Sequence, residues 1–436
     1  MKRRFTSLDR QTELDCEYHL PDRYRDVLSI SGADKLITQG AGVSYVGASF
    51  SDQSNVIGMR KFNRILDFSE AEKWIEVEAG ISLGKLFNFL TPKNLSLPVM
   101  PGHPQISVGG CIAANVHGKN HFREGTFKDH VAAISLFHPD QGVLRLSRNE
   151  NSEIFDLTCG GLGLTGIILS ARLSIVAEAA TSINQTTQSV GSLEDAFNEV
   201  WRAKDEHDMI YGWLDMSQCN VERGFIVMGD KTKATTNTES SDFSPFAPEV
   251  SSLRRVPVFN KYTMPLINYW YDRSNQTGDV PTVVSRFDFL FPAASKSYYF
   301  DLYGSKGFIE AQMLVPANNI QNYCTKFRQL FKEHAPTISL ATVKASGGKQ
   351  TLLNYAGPGL SFALDLPATS HSKKFLSALD QINTEHGCIS SIMKDSRLSK
   401  ETVDAQYAES TEFRDRLKAF DPARRFSSTI SERLGL

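Results

Sequence analysis

Between positions 33 and 180 short apolar runs alternate with glycine-rich turns. KLITQ (35–39), ILDF (65–68), WIEVE (74–78), VAAISLF (131–137) and GIILSARLSIV (166–176) read as strands, each bounded by turn formers. SLGKLFNFL (82–90) reads as a short amphipathic helix, with Ser82 placed to cap it. Past about 181 the pattern changes. Residues 192–207 predict a helix, with Ser192 and Asp195 at capping-box spacing. Strands are predicted at 307–315, 340–344 and 360–366. Helices are predicted at 319–334, at 373–386 ending on Gly387, and at 401–419 before Pro422. The stretch DKTKATTNTESSD (230–242) has no period and predicts a surface loop. Residues 254–305 are crowded with aromatics, and VPVFNKYTMPLINYWY (256–271) reads either as buried core or as an apolar cover. The pattern predicts an α+β chain, its second half an antiparallel sheet with helices on one face.

Composition narrows this picture. A length of 436 residues allows two to three domains, and 41% hydrophobic with 22% charged residues is globular usage. Lys and Arg number 47 against 49 Asp and Glu, a net charge of −2, which argues against nucleic acid as a partner. The six cysteines are scattered, with neither Cys-x-x-Cys pairs nor zinc spacing, so free thiols and no metal are expected. Asp9, Arg10, Glu13 and Asp15 break any signal-peptide core, and no window of 18 apolar residues exists. The expectation is a cytoplasmic protein, with peripheral contact at the inner face of a membrane left open.

Three glycine clusters carry candidate chemistry. Gly40-Ala41-Gly42-Val43-Ser44-Tyr45 follows the strand KLITQ and reads either as a plain turn or as a phosphate contact. It is not the dinucleotide fingerprint, because Tyr45 stands at the third glycine. The second cluster runs from Pro101-Gly102 through Val108-Gly109-Gly110 to Asn115, His117-Gly118 and Lys119-Asn120. Its small residues permit a flat ligand to approach the backbone. The third, Cys159-Gly160-Gly161-Leu162-Gly163-Leu164-Thr165-Gly166-Ile167-Ile168, precedes a β-branched strand.

Together these motifs resemble the vanillyl-alcohol-oxidase type of FAD-binding domain. Within that family the resemblance is to the flavin subunits of polyprenylphosphoryl-pentose epimerases. It is carried further by His117-Gly118-Lys119-Asn120-His121, Asn260-Lys261-Tyr262-Thr263, Gly307-Phe308-Ile309-Glu310-Ala311-Gln312 and Lys394-Asp395-Ser396-Arg397, and by Asp421-Pro422 with Arg433-Leu434. The resemblance implies a two-subdomain FAD-binding domain from 1–180, completed by 389–436, with an antiparallel-sheet substrate domain at 181–388. It implies Lys394 and Tyr45 at the reacting carbon, with Lys119, Gln312 and Lys344 on the substrate side. Cofactor contacts fall to Gly40, Ala41, Gly42, Val43, Ser44, Pro101, Gly102, Val108, Gly109, Gly110, Asn115, His117, Gly118, Gly161, Gly163, Gly166 and Ile167. Many relatives carry a flavin-linked histidine where this chain has Val43, so non-covalent FAD is expected.

The implied activity is oxidation of a secondary sugar hydroxyl, on a lipid-linked or soluble sugar, as the first half of an epimerisation. An NADH-dependent short-chain reductase would be the partner. The substrate side departs from the family pattern at Ala341 or Thr342 and at Ser391. Two other readings compete: an aldonolactone or alditol oxidase of the same fold, and a flavin-fold subunit without turnover. His103 and His121 stay unassigned.

Overall fold

The computed structural model describes the chain except residues 33, 220–222, 235–255, 276–279, 293, 295 and 296. Among the described residues, three sheets of four or more strands organise it. The first runs Lys2–Thr6, Glu13–His19, Asn55–Gly58, Leu36–Gln39, with an antiparallel outer hairpin and parallel inner pairs. The sequence pattern did not single out that hairpin as strands. It buries only Phe5, Cys16 and Tyr18, among charged neighbours, so its alternation is faint.

The second sheet is antiparallel, in the order Ile65–Ser69, Trp74–Glu78, Ile167–Ser174, Val131–His138, Gly142–Ser147. The strands expected at 65–68, 74–78, 131–137 and 166–176 all lie in it. Helix Leu83–Leu90 buries its apolar stripe in the core beside this sheet. Ser82 Oγ accepts from Lys85 N at 3.3 Å, which supplies the expected cap.

The third sheet has eight strands, all antiparallel. Their order is Thr282–Ser285, Ser182–Val190, Arg223–Thr232, Met209–Asp215, Leu340–Ser346, Gly359–Pro367, Phe308–Pro316, Ile389–Ser390. Because side chains alternate along a strand, Ala311, Met313, Val343, Phe362 and Leu364 enter one core under the helices Leu193–Ala203, Ile320–His334 and Ser370–Glu385. Phe327 and Phe362 are fully buried there with rings 5.3 Å apart, and truncating either would cost about 3–5 kcal/mol. The alternate positions Glu310, Gln312, Lys344, Ser361 and Asp365 fall on the opposite face, away from the helices.

The tail folds back on the first half. Lys400–Gln406, Ser410–Phe420 and Thr429–Leu434 pack on Val46, Leu157 and Leu162. Leu36 N donates to Arg425 O at 2.7 Å, and Ser427 N to Leu36 O at 3.0 Å. The single helix expected over 401–419 is therefore two. Tyr407 Oη donates to Ser390 O at 2.7 Å, and Glu409 accepts from Leu352 N at 2.8 Å, and these anchors hold the break.

The loop expected at 230–242 begins as strand, up to Thr232, and from 235 it lies outside the described residues. Segment 256–271 is neither wholly core nor wholly cover. Phe259 and Met264 are buried, whereas Leu266 and Trp270 are 62% and 63% exposed. Helix Met264–Asn275 turns its polar side inward, where Asn268 donates to buried Asp215 at 2.8 Å. Among the described residues no helix is long and apolar enough to cross a membrane.

Candidate active site

The three glycine clusters meet around the short helix Val108–Ala113. Strand Leu36–Gln39 delivers Gly40 against its start, where a Cβ on Gly40 would stand 2.0 Å from Ser107 Oγ. Ser107 is the N-cap of that helix and accepts from Gly110 N at 3.3 Å. Gly109 N donates to Ala79 O at 2.7 Å. The third cluster crosses the other end, with Gly160 N donating to Ile112 O at 2.9 Å and Leu162 N to Ala113 O at 2.8 Å. A Cβ on Gly161 would stand 2.0 Å from Leu157 O, and one on Gly118 2.9 Å from Met100 O. Gly166 adopts φ +143 against Phe137 O, a conformation that disfavours a side chain.

Not every expected cofactor position points a side chain at the groove. Val108 and Ile167 lie in apolar cores, and Pro101 and Gly118 are buried, so they can offer a ligand only backbone. Asn115 is occupied by Asn354 Oδ1 at 2.9 Å and Lys128 N at 2.9 Å. Ala41, Gly42 and Gly102 are exposed, Gly109, Gly110, Ala113 and Ala114 are half-buried, and Gly163 adopts φ +77. Ser44 Oγ is buried without a hydrogen-bond partner, and Val43 beside it carries no nucleophile. Turns bare of side chains, built from backbone and carrying the unpaired Ser44 hydroxyl, fit the flat, phosphate-bearing FAD molecule.

Lys394 comes from the tail. Its turn is pinned to the large sheet by Ser391 N donating to Gln312 O at 2.7 Å. Arg397 bridges Asp395 and Asp380 at 2.7 and 2.9 Å, and Arg433 donates to the carbonyls of Ser396 and Asp395. Lys394-Asp395-Ser396-Arg397 is thus a braced turn. Lys394 Nζ sits 3.2 Å from Glu310 Oε1 and 3.4 Å from the centroid of the Tyr45 ring. Tyr45 is held by its backbone, since Asp9 N donates to Tyr45 O at 3.2 Å, and its ring meets Phe308 edge-on at 5.7 Å.

Gln312 Nε2 donates to Ser361 Oγ at 2.7 Å, and Tyr355 Oη lies 3.0 Å from the same oxygen. The Tyr355 ring stacks on His117 at 5.8 Å, and His117 on His121 at 4.7 Å. Lys119 is 9% exposed and donates to the carbonyls of Phe289 and Leu290 at 2.6 and 3.0 Å. Lys344 has no hydrogen-bond or ion-pair partner among the described residues.

Burial governs the charges here. It pushes Lys119 and Lys344 below the usual lysine range, with Lys344 adding to the first shift and Lys394 to the second. It holds His117 well below the ordinary histidine value and His121 at about 4, so both rings are neutral at pH 7. Tyr45 is pushed well above 10 by burial and then by the neighbouring Glu310 charge, so its phenol keeps its proton.

Glu310, Asp365, Tyr355 and Ser361 were not expected in the site. Two signals pointed to the acids. Glu310 and Gln312 are two apart on a strand and share a face, and Asp365 is a lone acid in the apolar run LSFALDL.

An FAD binding domain matches residues 26–147. A decaprenylphosphoryl-β-D-ribose oxidase of Mycolicibacterium smegmatis is 28% identical over 93% of this chain and 90% of its own. An uncharacterized protein of Streptomyces coelicolor is 24% identical over 82% of this chain and 100% of its own. The L-gulonolactone oxidase of Mus musculus is 30% identical over 35% of this chain and 34% of its own. The resemblance read from the motifs stands: the chain is an FAD-dependent oxidoreductase, similar over nearly its whole length to a decaprenylphosphoryl-ribose oxidase.

Proposed function

We propose that the protein oxidises a secondary hydroxyl of a pentose carried on polyprenyl phosphate, using non-covalent FAD, as the first half of an epimerisation. An NADH-dependent short-chain reductase would complete it, at the inner face of a membrane. The carrying observation is Lys394, braced by the tail, paired to Glu310 and set on the face of Tyr45. In this reading 1–180 with 389–436 holds the cofactor and 181–388 the sugar. Val43, in place of a nucleophilic histidine, supports non-covalent binding.

Bound FAD supplies the hydride acceptor. The chain supplies the rest. Lys394 meets the hydroxyl and favours its developing negative charge, and Glu310 fixes the direction of that ammonium. Gln312, already oriented by Ser361, offers the sugar its remaining hydrogen-bonding capacity. Lys344, which has no hydrogen-bond or ion-pair partner among the described residues and is pushed below the usual lysine range by burial, would be favoured as a cation by an approaching anion, so it suits the phosphate. Helix Met264–Asn275 presents Leu266 and Trp270 outward, an apolar face that suits the lipid.

Anaerobic mixing of the FAD-loaded protein with polyprenylphosphoryl ribose, free ribose and L-gulono-1,4-lactone tests this. Flavin bleaching should be fastest with the first, by at least about tenfold in specificity constant, or about 1.4 kcal/mol. Equal constants for the two ribose compounds would remove the lipid. Bleaching by the lactone alone would move the assignment to an aldonolactone oxidase. Flavin left on the acid-precipitated chain would overturn non-covalent binding.

A further inference from the structure

Behind Lys394 a run of four close polar contacts needs more protons than its hydroxyl groups own. Ser339 Oγ lies 2.9 Å from the backbone oxygen of Asp365 and 2.6 Å from Tyr303 Oη. Tyr303 Oη lies 2.7 Å from Tyr299 Oη, which lies 3.0 Å from Asp365 Oδ2. A carbonyl cannot donate, so Ser339 gives its proton to Asp365 O. Its oxygen then accepts from Tyr303, and Tyr303 in turn accepts from Tyr299. The three hydroxyl protons are now spent, and the contact between Tyr299 and Asp365 Oδ2 still lacks one.

We infer that Asp365 is a neutral carboxylic acid in the folded protein, donates to Tyr299, and is a positioning residue that leaves Glu310 as the one carboxylate facing Lys394. Strand register supports this independently. Asp365 and Glu310 stand directly opposite each other on antiparallel strands, 4% and 7% exposed. Two ionised carboxylates so placed would repel in a site where water cannot screen them.

The groups facing Asp365 are Glu310 from the adjacent strand, Tyr299 and Tyr303 from Ser297–Tyr303, Tyr45 from the first glycine loop, and Lys394 from the tail. Burial, then the Glu310 charge, push the Asp365 carboxyl well above its usual range, against the opposing pull of Lys394. All three tyrosines are pushed upward by burial, so each keeps the proton it donates. With Asp365 neutral, the Lys394 ammonium meets one negative charge instead of two. Ionising Asp365 would add the second beside the ammonium. That consequence rests on the proposed role of Lys394; the protonation itself does not.

The sign for stability follows. A carboxyl whose folded value is raised contributes fully at low pH, and its contribution is lost as pH rises toward the folded value.

Infrared difference spectra of FAD-loaded wild type and Asp365→Asn at neutral pH test the inference. A protonated-carboxyl C=O band should be present in wild type and missing from the variant. The variant should melt above wild type, or no more than about 2 °C below it, at neutral pH, because an amide donates to Tyr299 as the acid does without having to take up a proton. Its melting temperature should also fall less as pH rises. In flavin bleaching with polyprenylphosphoryl ribose, Asp365→Asn should shift the alkaline limb to lower pH, because the second carboxylate that would steady the ammonium in alkali is gone. Absence of the carboxyl band, or a much larger drop in melting temperature, would overturn the neutral acid. An unmoved alkaline limb, with the band present, would overturn the positioning role alone. No bleaching by any sugar would sink the proposed reaction and leave the infrared result standing.

Discussion

Around Val108–Ala113 the protein clears side chains away, whereas on the polar face of Gly359–Pro367 and Phe308–Pro316 it crowds ionisable ones together. The first region works by backbone. Its glycines are required because a Cβ would strike Ser107 or Leu157, and they leave the turns that would line a cofactor groove bare of side chains. The second works by charge balance, in which the charges of Lys394 and Glu310 act on the protonation of Asp365 and Lys344 through a low-dielectric space. Damage to the groove should therefore appear as lost cofactor and lost stability. Damage to the polar face should appear in the rate and in its pH dependence, with the cofactor still held.

The sharpest division comes from Lys394→Ala. FAD should stay bound while substrate-dependent bleaching slows by about 10²-fold or more, the scale of a positioned acid–base group. Rapid mixing with polyprenylphosphoryl ribose checks it, and an unchanged rate in a folded variant would remove Lys394 from the chemistry. Gly161→Ala should do the reverse. Its methyl meets Leu157 O at 2.0 Å, so about 1–3 kcal/mol of stability should go, together with much of the retained flavin. Thermal melting and the flavin absorbance of purified protein measure both losses. If FAD loading survives, the third glycine cluster does not shape the groove.

The smallest effect concerns the seam between the regions. His121 is held at about 4 in the folded chain, chiefly by burial, while an exposed histidine titrates near 6.5. The unfolded chain binds the proton first as pH falls. Stability is therefore full above about pH 6.5 and declines toward pH 4, by more than about 1 kcal/mol. Melting curves of wild type and His121→Gln over that range should converge at low pH. Parallel curves would show that the His117–His121 stack is not buried as described.

The glycine region could be read along the chain because each cluster is local. Gly40 to Tyr45, 101–120 and 159–168 are contiguous segments, and runs of glycine are uncommon enough to mark themselves. Lys394 was harder to read: Lys-Asp-Ser-Arg alone resembles a solvated turn, and only the tail's bracing by Arg397 and Arg433 makes it a fixed one. The opposite error occurred at 401–419, where periodicity ran through a break that Tyr407 and Glu409 impose by contacts over 17 and 57 residues.

From the linear order of residues alone came the strand and helix alternation, the three glycine clusters and their likeness to FAD-binding chains. Those depend on neighbours a few positions apart. Which acid stands beside Lys394 does not. Glu310, Asp365, Tyr45 and Lys394 span 350 residues and meet because strand register sets Glu310 opposite Asp365, and because the tail folds back to the first glycine loop. Their charges follow from burial and mutual distance, quantities that exist only once the chain has closed on itself.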